Sequence, residues 1–297
     1  MKNIKFYIIL VITISSALVF QGCGSRLSDT LSLTKAKMEN QLATKAELLM
    51  DNMIEVYNTV QDLSFESEFD GAVAGILASS VESYEPSQLV NDSIRAKMTL
   101  LQLYKQAVHE YALLADEGFT GQQAALAKCG QSIIDAYKKI DDSTSIKLAF
   151  KINPIIQSSR YDQNLLMIRL MESLEEVWGK DVVAWNSLLN MSFLDYQVAL
   201  SLIPDESFSE ENLVKYVNQP FSGKHNLVEV YKINLIKERR NMLNDLVQKQ
   251  DKVTSSLQYL KQALTEFEKS NCDKTVVMNY LNRIEMFLAT TETKSNE

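Results

Sequence analysis

Along the last third of the chain, side chains recur in alternating steps of three and four: Leu243, Leu246, Gln250, Val253, Leu257, Leu260, Leu264 and Phe267. A helix with 3.6 residues per turn gathers such positions onto one side, whereas a strand alternates faces at every residue. The spacing therefore predicts a helix over about 226–270, with a coiled-coil-like seam of roughly four heptads. Gln250 is the one polar member. A polar residue there either sets the register of packing at some cost in stability or faces water at a bundle edge, and both readings stay open at this point. A second seam, Leu42, Leu49, Val56 and Leu63 interleaved with Ala46, Met53 and Val60, marks a narrow apolar line on a helix over about 28–63.

Punctuation is sparse. The 297 residues include 9 Gly and 4 Pro, where ordinary usage would give roughly 20 and 15. Few breakers mean few turns and long elements, which suits helices and not sandwiches or barrels. Further apolar stripes follow. Ile94, Met98, Leu101, Tyr104, Val108 and Tyr111 lie on a helix ending near 117, and Thr120 is a candidate N-cap for a helix to about 140. Asp141-Asp142-Ser143 and Asn153-Pro154 interrupt the pattern, so a sub-bundle boundary is expected near 141–158. Ser159 with Asp162 reads as a capping box opening a helix that carries Met167, Met171, Leu174, Trp178, Val182, Trp185, Leu189, Tyr196 and Leu200 and ends at Pro204. A last helix over about 274–289 turns Val277, Tyr280, Leu281, Ile284 and Leu288 inward, and 290–297 is a polar, frayed tail. The expected fold is all-α: an elongated antiparallel helical bundle with coiled-coil-like long helices, forming one domain over 23–297.

The N-terminus carries an address. Lys2 and Lys5 precede an uncharged, mostly apolar run from Phe6 to Phe20, followed by Gln21, Gly22 and Cys23. The run is shorter than the ~20 residues a membrane-spanning helix needs, which favours a cleaved signal. The segment resembles the bacterial lipoprotein signal. Gly22 and Cys23 match its cleavage and lipidation positions, while Phe20 and Gln21 depart from the leucine and small residue it prefers. The resemblance implies that residues 1–22 are a signal peptide and that Cys23 takes palmitate-like acyl chains and becomes the new N-terminus. It places the protein in the cell envelope, anchored to a membrane. Gly24 and Ser25, neither an aspartate, favour the outer membrane where a cell has two.

The search for chemistry is brief. His109-Glu110 starts like a zinc HExxH, but position 113 is Leu. His225 is equally isolated. Asp205, Glu206, Glu210 and Glu211 lack the spacing of a calcium loop and suit the first turn of a helix. Gly71 and Gly75 form a GxxxG within an apolar run of about ten residues, too short to span a membrane. No phosphate loop, nucleophile elbow or dinucleotide fingerprint occurs, so no cofactor, metal or catalytic residue is assigned. Net charge is −8 for the whole chain and −10 once Lys2 and Lys5 leave with the signal. That disfavours nucleic acid, which binds positive surfaces; Lys237, Arg239 and Arg240 form a local cluster broken by Glu238. Cys129 reads as a small buried thiol, and a single bridge to Cys272 stays open.

Two functions compete. The leading expectation is a non-catalytic, lipid-anchored interaction or structural protein that binds another envelope protein or itself. The alternative is a lipoprotein holding an apolar or amphipathic ligand between helices, with Trp178 and Trp185, seven residues apart on one face, as its lining. For Trp178 and Trp185 a place in the core is the better reading, because they continue the stripe from Met171 to Leu189.

Overall fold

The computed structural model describes residues 35–64, 88–117, 120–158, 162–202, 227–269 and 271–289. The segment 1–22 that resembles a signal, Cys23, the GxxxG at 71–75, the acids at 205–211, His225 and the tail 290–297 lie outside them. The described residues form seven helices and no strand: α1 (35–64), α2 (Gln88–Glu117), α3 (Thr120–Ile140), α4 (Asp142–Ile156), α5 (Gln163–Leu202), α6 (Leu227–Glu268) and α7 (Lys274–Ala289). The protein is all-α, and its helices pack on one another as a bundle.

α1 is the centre. Glu39 accepts from Gln163 Nε2 at 3.2 Å and Tyr57 donates to Asp181 at 2.8 Å, so α1 runs parallel to α5. Lys105–Asp51 (2.6 Å) ties it to α2, Lys249–Glu55 (2.6 Å) to α6 and Lys45–Glu285 (2.9 Å) to α7. Its buried surface is accordingly wider than the narrow seam expected from sequence. Ala43, Met50 and Tyr57 are buried beside Leu42, Leu49 and Val56. A helix with neighbours on several sides must be apolar over more than one stripe.

α4 and α6 run antiparallel to α5. Glu176 meets Lys147 and Glu172 meets Lys151 between α5 and α4. Trp178 meets Thr254, and Tyr196 lies under Arg239, between α5 and α6. Buried residues of all seven helices join one core, including Leu100, Ile133, Leu148, Leu170, Leu260 and Ile284.

Two local features differ from expectation, and one open question closes. The helix after residue 158 is capped by Asp162 itself, whose Oδ1 accepts from Leu165 N at 2.9 Å, so Asp162 is the cap and not the third helical residue of a box. The stretch 141–158 contains a turn at Asp141 and then helix α4, which runs through Pro154. Proline forfeits one helical bond. Burial of Leu148, Ile152 and Ile155 outweighs that loss, and Gln157 N donates to Asn153 O at 3.0 Å to close the last turn. Cys129 and Cys272 are both free thiols, which settles the question of a bridge between them.

Candidate functional site

Two arrangements stand out from ordinary core packing. The first is a buried polar and aromatic layer at mid-bundle. Asp181 projects from α5 between Trp178 and Trp185. Its carboxylate accepts from Tyr57 Oη (2.8 Å) on α1 and pairs with the Lys97 ammonium on α2. Trp178 and Trp185 meet edge to face at 6.1 Å, Tyr57 meets them at 5.8 and 4.6 Å, and Lys97 lies 5.6 Å from the Trp185 ring centre. Trp178 Nε1 donates to Thr254 Oγ1 on α6 at 2.9 Å. Four helices therefore share one layer.

Its electrostatics follow from burial. Desolvation pushes the Asp181 carboxyl above its usual value, outweighing the opposing pull of Lys97 and Tyr57. Burial also drives the Tyr57 phenol well above its ordinary range, with the Asp181 charge adding to it. One carboxylate with two donors is a satisfied unit. Tyr57 is 2% exposed and Asp181 5%, so the layer as built holds four helices in register. Trp178 and Trp185, the candidate ligand-lining residues, are 1% and 7% exposed, with neighbouring rings against both.

Similar polar ties recur nearby. Tyr104 and Tyr137 hydroxyls lie 3.0 Å apart, and burial pushes Tyr137 up to about 12. Tyr111 donates to Asn164 at 2.7 Å. Near the start of α1, burial raises Glu39 despite Lys35 and Gln163, and raises Glu268 with the help of the nearby Asp162 charge. Some buried polar groups have no partner: Gln250 is 0% exposed and neither its Oε1 nor its Nε2 has a hydrogen-bond partner, and the Ser64 and Ser256 hydroxyls are also left out.

The second arrangement is on the outside. α4 pairs with α5 from Glu172 to Lys180, where Lys180 reaches Asp141, the N-cap of α4, at 3.5 Å, so α4 extends no further along α5. Immediately beyond, the outer face of α5 becomes apolar and open: Val183 (72% exposed), Leu188 (39%), Met191 (61%), Leu194 (59%) and Val198 (59%). From residue 182 to 202 the helix carries one charge, Asp195. Its opposite face is occupied. Tyr196 and Leu200 pack on Leu235 and Ile236 of α6, with Arg239 and Arg240 over the Tyr196 and Phe193 rings at 5.5 and 5.8 Å. The outer half of α5 is thus apolar on two sides with one side covered, the form of an interaction surface. A smaller exposed pair, Ile146 and Phe150, lies on α4.

Sequence reasoning followed the buried stripe of α5 and missed both features. An acid, Asp181, set within the step from Trp178 to Trp185 signals a buried partner. Val183, Met191, Leu194 and Val198, returning at helical spacing behind that stripe in a nearly uncharged stretch, signal the second face. Gln250 is inside the bundle and not at its wet edge. His109 is exposed, and no group of three or more His, Cys, Asp or Glu side chains able to hold a metal occurs among the described residues. No protein family, no curated protein and no solved structure matches the chain.

Proposed function

We propose that the chain is a lipid-tethered helical interaction protein of a bacterial cell envelope. It is exported behind residues 1–22, held to a membrane through Cys23, and works by protein contact and not by catalysis. The observation that carries the contact reading is the open apolar face of α5 from Val183 to Val198, which begins just beyond the level of Asp141 at the start of α4. A surface of that kind costs solubility unless a partner covers it. The tether reading rests on Gly22 and Cys23. The eleven residues from 24 to 34 span at most about 40 Å, which keeps the start of α1 near the membrane. The rival reading, an apolar ligand between helices beside Trp178 and Trp185, has less support, because those rings already pack on Tyr57 and on each other.

Two measurements test the proposal. A photo-crosslinking residue at position 191 or 194, introduced in cells of the source organism, should give protein adducts, whereas one at the exposed Asn279 of α7 should not. Absence of adducts from 191 and 194 overturns the contact reading. Cys23→Ser should move the chain out of the membrane fraction, and a variant that stays as firmly bound as the parent overturns the tether.

A further inference from the structure

The geometry points to a second copy of this chain as the partner on the open face of α5, paired through a two-fold axis at Met191 with the two helices antiparallel. This rests on the contact reading above and names its occupant.

Three observations select that partner. The first is the order of the exposed side chains. Read along α5 they are Val183, Leu188, Met191, Leu194 and Val198, the same residue types in either direction about Met191. A two-fold interface uses one patch twice, so the patch has to complement itself. With Met191 on the axis, Leu188 of one copy is level with Leu194 of the other, Val183 (eight residues before the axis) comes within one residue of level with Val198 (seven after it), and Met191 meets itself.

The second is charge. Asp195 is the single charged residue from 182 to 202. Antiparallel pairing sets each Asp195 against the partner's Ser187 and about eight residues, or about 12 Å, from the other aspartate along the helix. Parallel pairing would bring the two carboxylates to one level beside an apolar seam, where like charges repel. The charge therefore selects the orientation as well as tolerating the contact.

The third is extent. The exposed side chains run from Val183, just beyond the level of Lys180 and the start of α4, to Val198. Their midpoint falls within one residue of Met191, so two such stretches overlap almost fully. Side chains of these sizes, open to 39–72%, expose on the order of 500 Å² per chain. Pairing removes on the order of 1,000 Å² from these five alone, the lower bound for a specific interface.

The test uses the full chain in mild detergent. Light scattering after size exclusion should give the mass of a dimer at micromolar concentration. Met191→Glu and Met191→Lys should each weaken self-association at least 100-fold with the helical circular dichroism unchanged, because each places like charges on the axis. A one-to-one mixture of the two variants should restore the dimer. Cysteine substitutions report orientation. A cysteine at 191 should crosslink to itself, and one at 183 should crosslink to one at 198 on a differently tagged copy but not to 183. A monomer at every concentration, or a dimer untouched by either Met191 variant, overturns the proposal. Crosslinking of 183 to 183 overturns the antiparallel arrangement. Should the chain be monomeric while position 191 still crosslinks to a different protein in cells, self-pairing fails and the contact reading stands; should both results be negative, both fail.

Discussion

Gln250 tests the core most sharply. Its side chain is 0% exposed, and both amide atoms lack partners. It stands between Leu246 and Val253 in the seam of α6, at the level where Lys249 reaches Glu55 of α1. An unpartnered buried polar atom costs about 1–3 kcal/mol. Two such atoms set a gross penalty of about 2–6 kcal/mol, which Gln250→Leu removes while nearly conserving volume. Imperfect fit of the branched side chain takes back part of that gain, typically under about 1.5 kcal/mol. The expected outcome is a gain of about 2 kcal/mol, or about 4–8 °C in Tm for a chain of this size. Urea unfolding followed by helical circular dichroism measures it, and an unchanged m-value confirms that both chains expose the same surface on unfolding. Ser256→Ala provides a scale from the same helix, since Ser256 is also 0% exposed with a single unpartnered oxygen, and its gain should be the smaller. If Gln250→Leu is no more stable than the parent at equal m, the amide is satisfied in solution and the reasoning fails.

Other perturbations read other parts of the fold. Asp141 caps α4, accepting from Ser143 N at 3.0 Å and Thr144 N at 3.3 Å, so Asp141→Ala should cost about 1–2 kcal/mol in urea unfolding. Hydrogen bonds from Thr144 and Ser143 hold that carboxyl well below its usual range; its contribution is therefore present above about pH 4 and lost as pH falls toward the folded value, and the deficit of the variant should shrink on acidification. Lys97→Met leaves Asp181 buried with only Tyr57 as a donor and should cost about 3–5 kcal/mol at neutral pH. Here the folded carboxyl titrates above its unfolded value, so acidification neutralises it more readily in the folded state and the deficit should narrow as pH falls; a deficit that widens contradicts the assignment. Gly179 lies inside α5 with open space where a Cβ would sit, so Gly179→Ala should raise stability by about 0.5–1 kcal/mol in the same assay.

The helices were legible because their signal is local. Val253, Leu257, Leu260 and Leu264 recur at the period of the element that buries them, and they are buried. What neighbours decide was less legible. The seam of α1 predicts one apolar line, yet Met50 and Tyr57 are buried too, because α2, α5, α6 and α7 all reach that helix, and no property of residues 35–64 alone announces four neighbours. Pro154 argues for a break on backbone grounds alone; the helix persists because Ile152 and Ile155 have a core to enter. Asp181 looks like any surface acid until Lys97, 84 residues earlier, is brought beside it. The outer face of α5 was written in the residues, but reading it required knowing where α4 stops.

That stopping point links architecture to function. The pairings on α5 carry α1 and α2 alongside it only to about residue 188, given Tyr57 at Asp181 and Lys97 at the same carboxylate. Beyond that level, among the described residues, α5 and α6 pack on each other alone, through Tyr196, Leu200, Leu235 and Ile236. A two-helix hairpin can bury only one side of each helix, so whatever apolar residues lie on the other side of α5 need a further surface. The proposed antiparallel pairing at Met191 would supply one, with a consequence for the proposed tether. The start of α1, four residues before Glu39 at the Gln163 level, lies about 32 residues, or about 48 Å, from Met191, so in the proposed pair the two α1 starts would point in opposite directions, about 95 Å apart. If Cys23 carries the proposed lipid, two lipids in one leaflet would then require the paired bundles to lie along the membrane, each end held down by its own linker. A chain standing upright on its lipid would carry Met191 far from the surface and could pair only with a copy tethered to an opposing membrane.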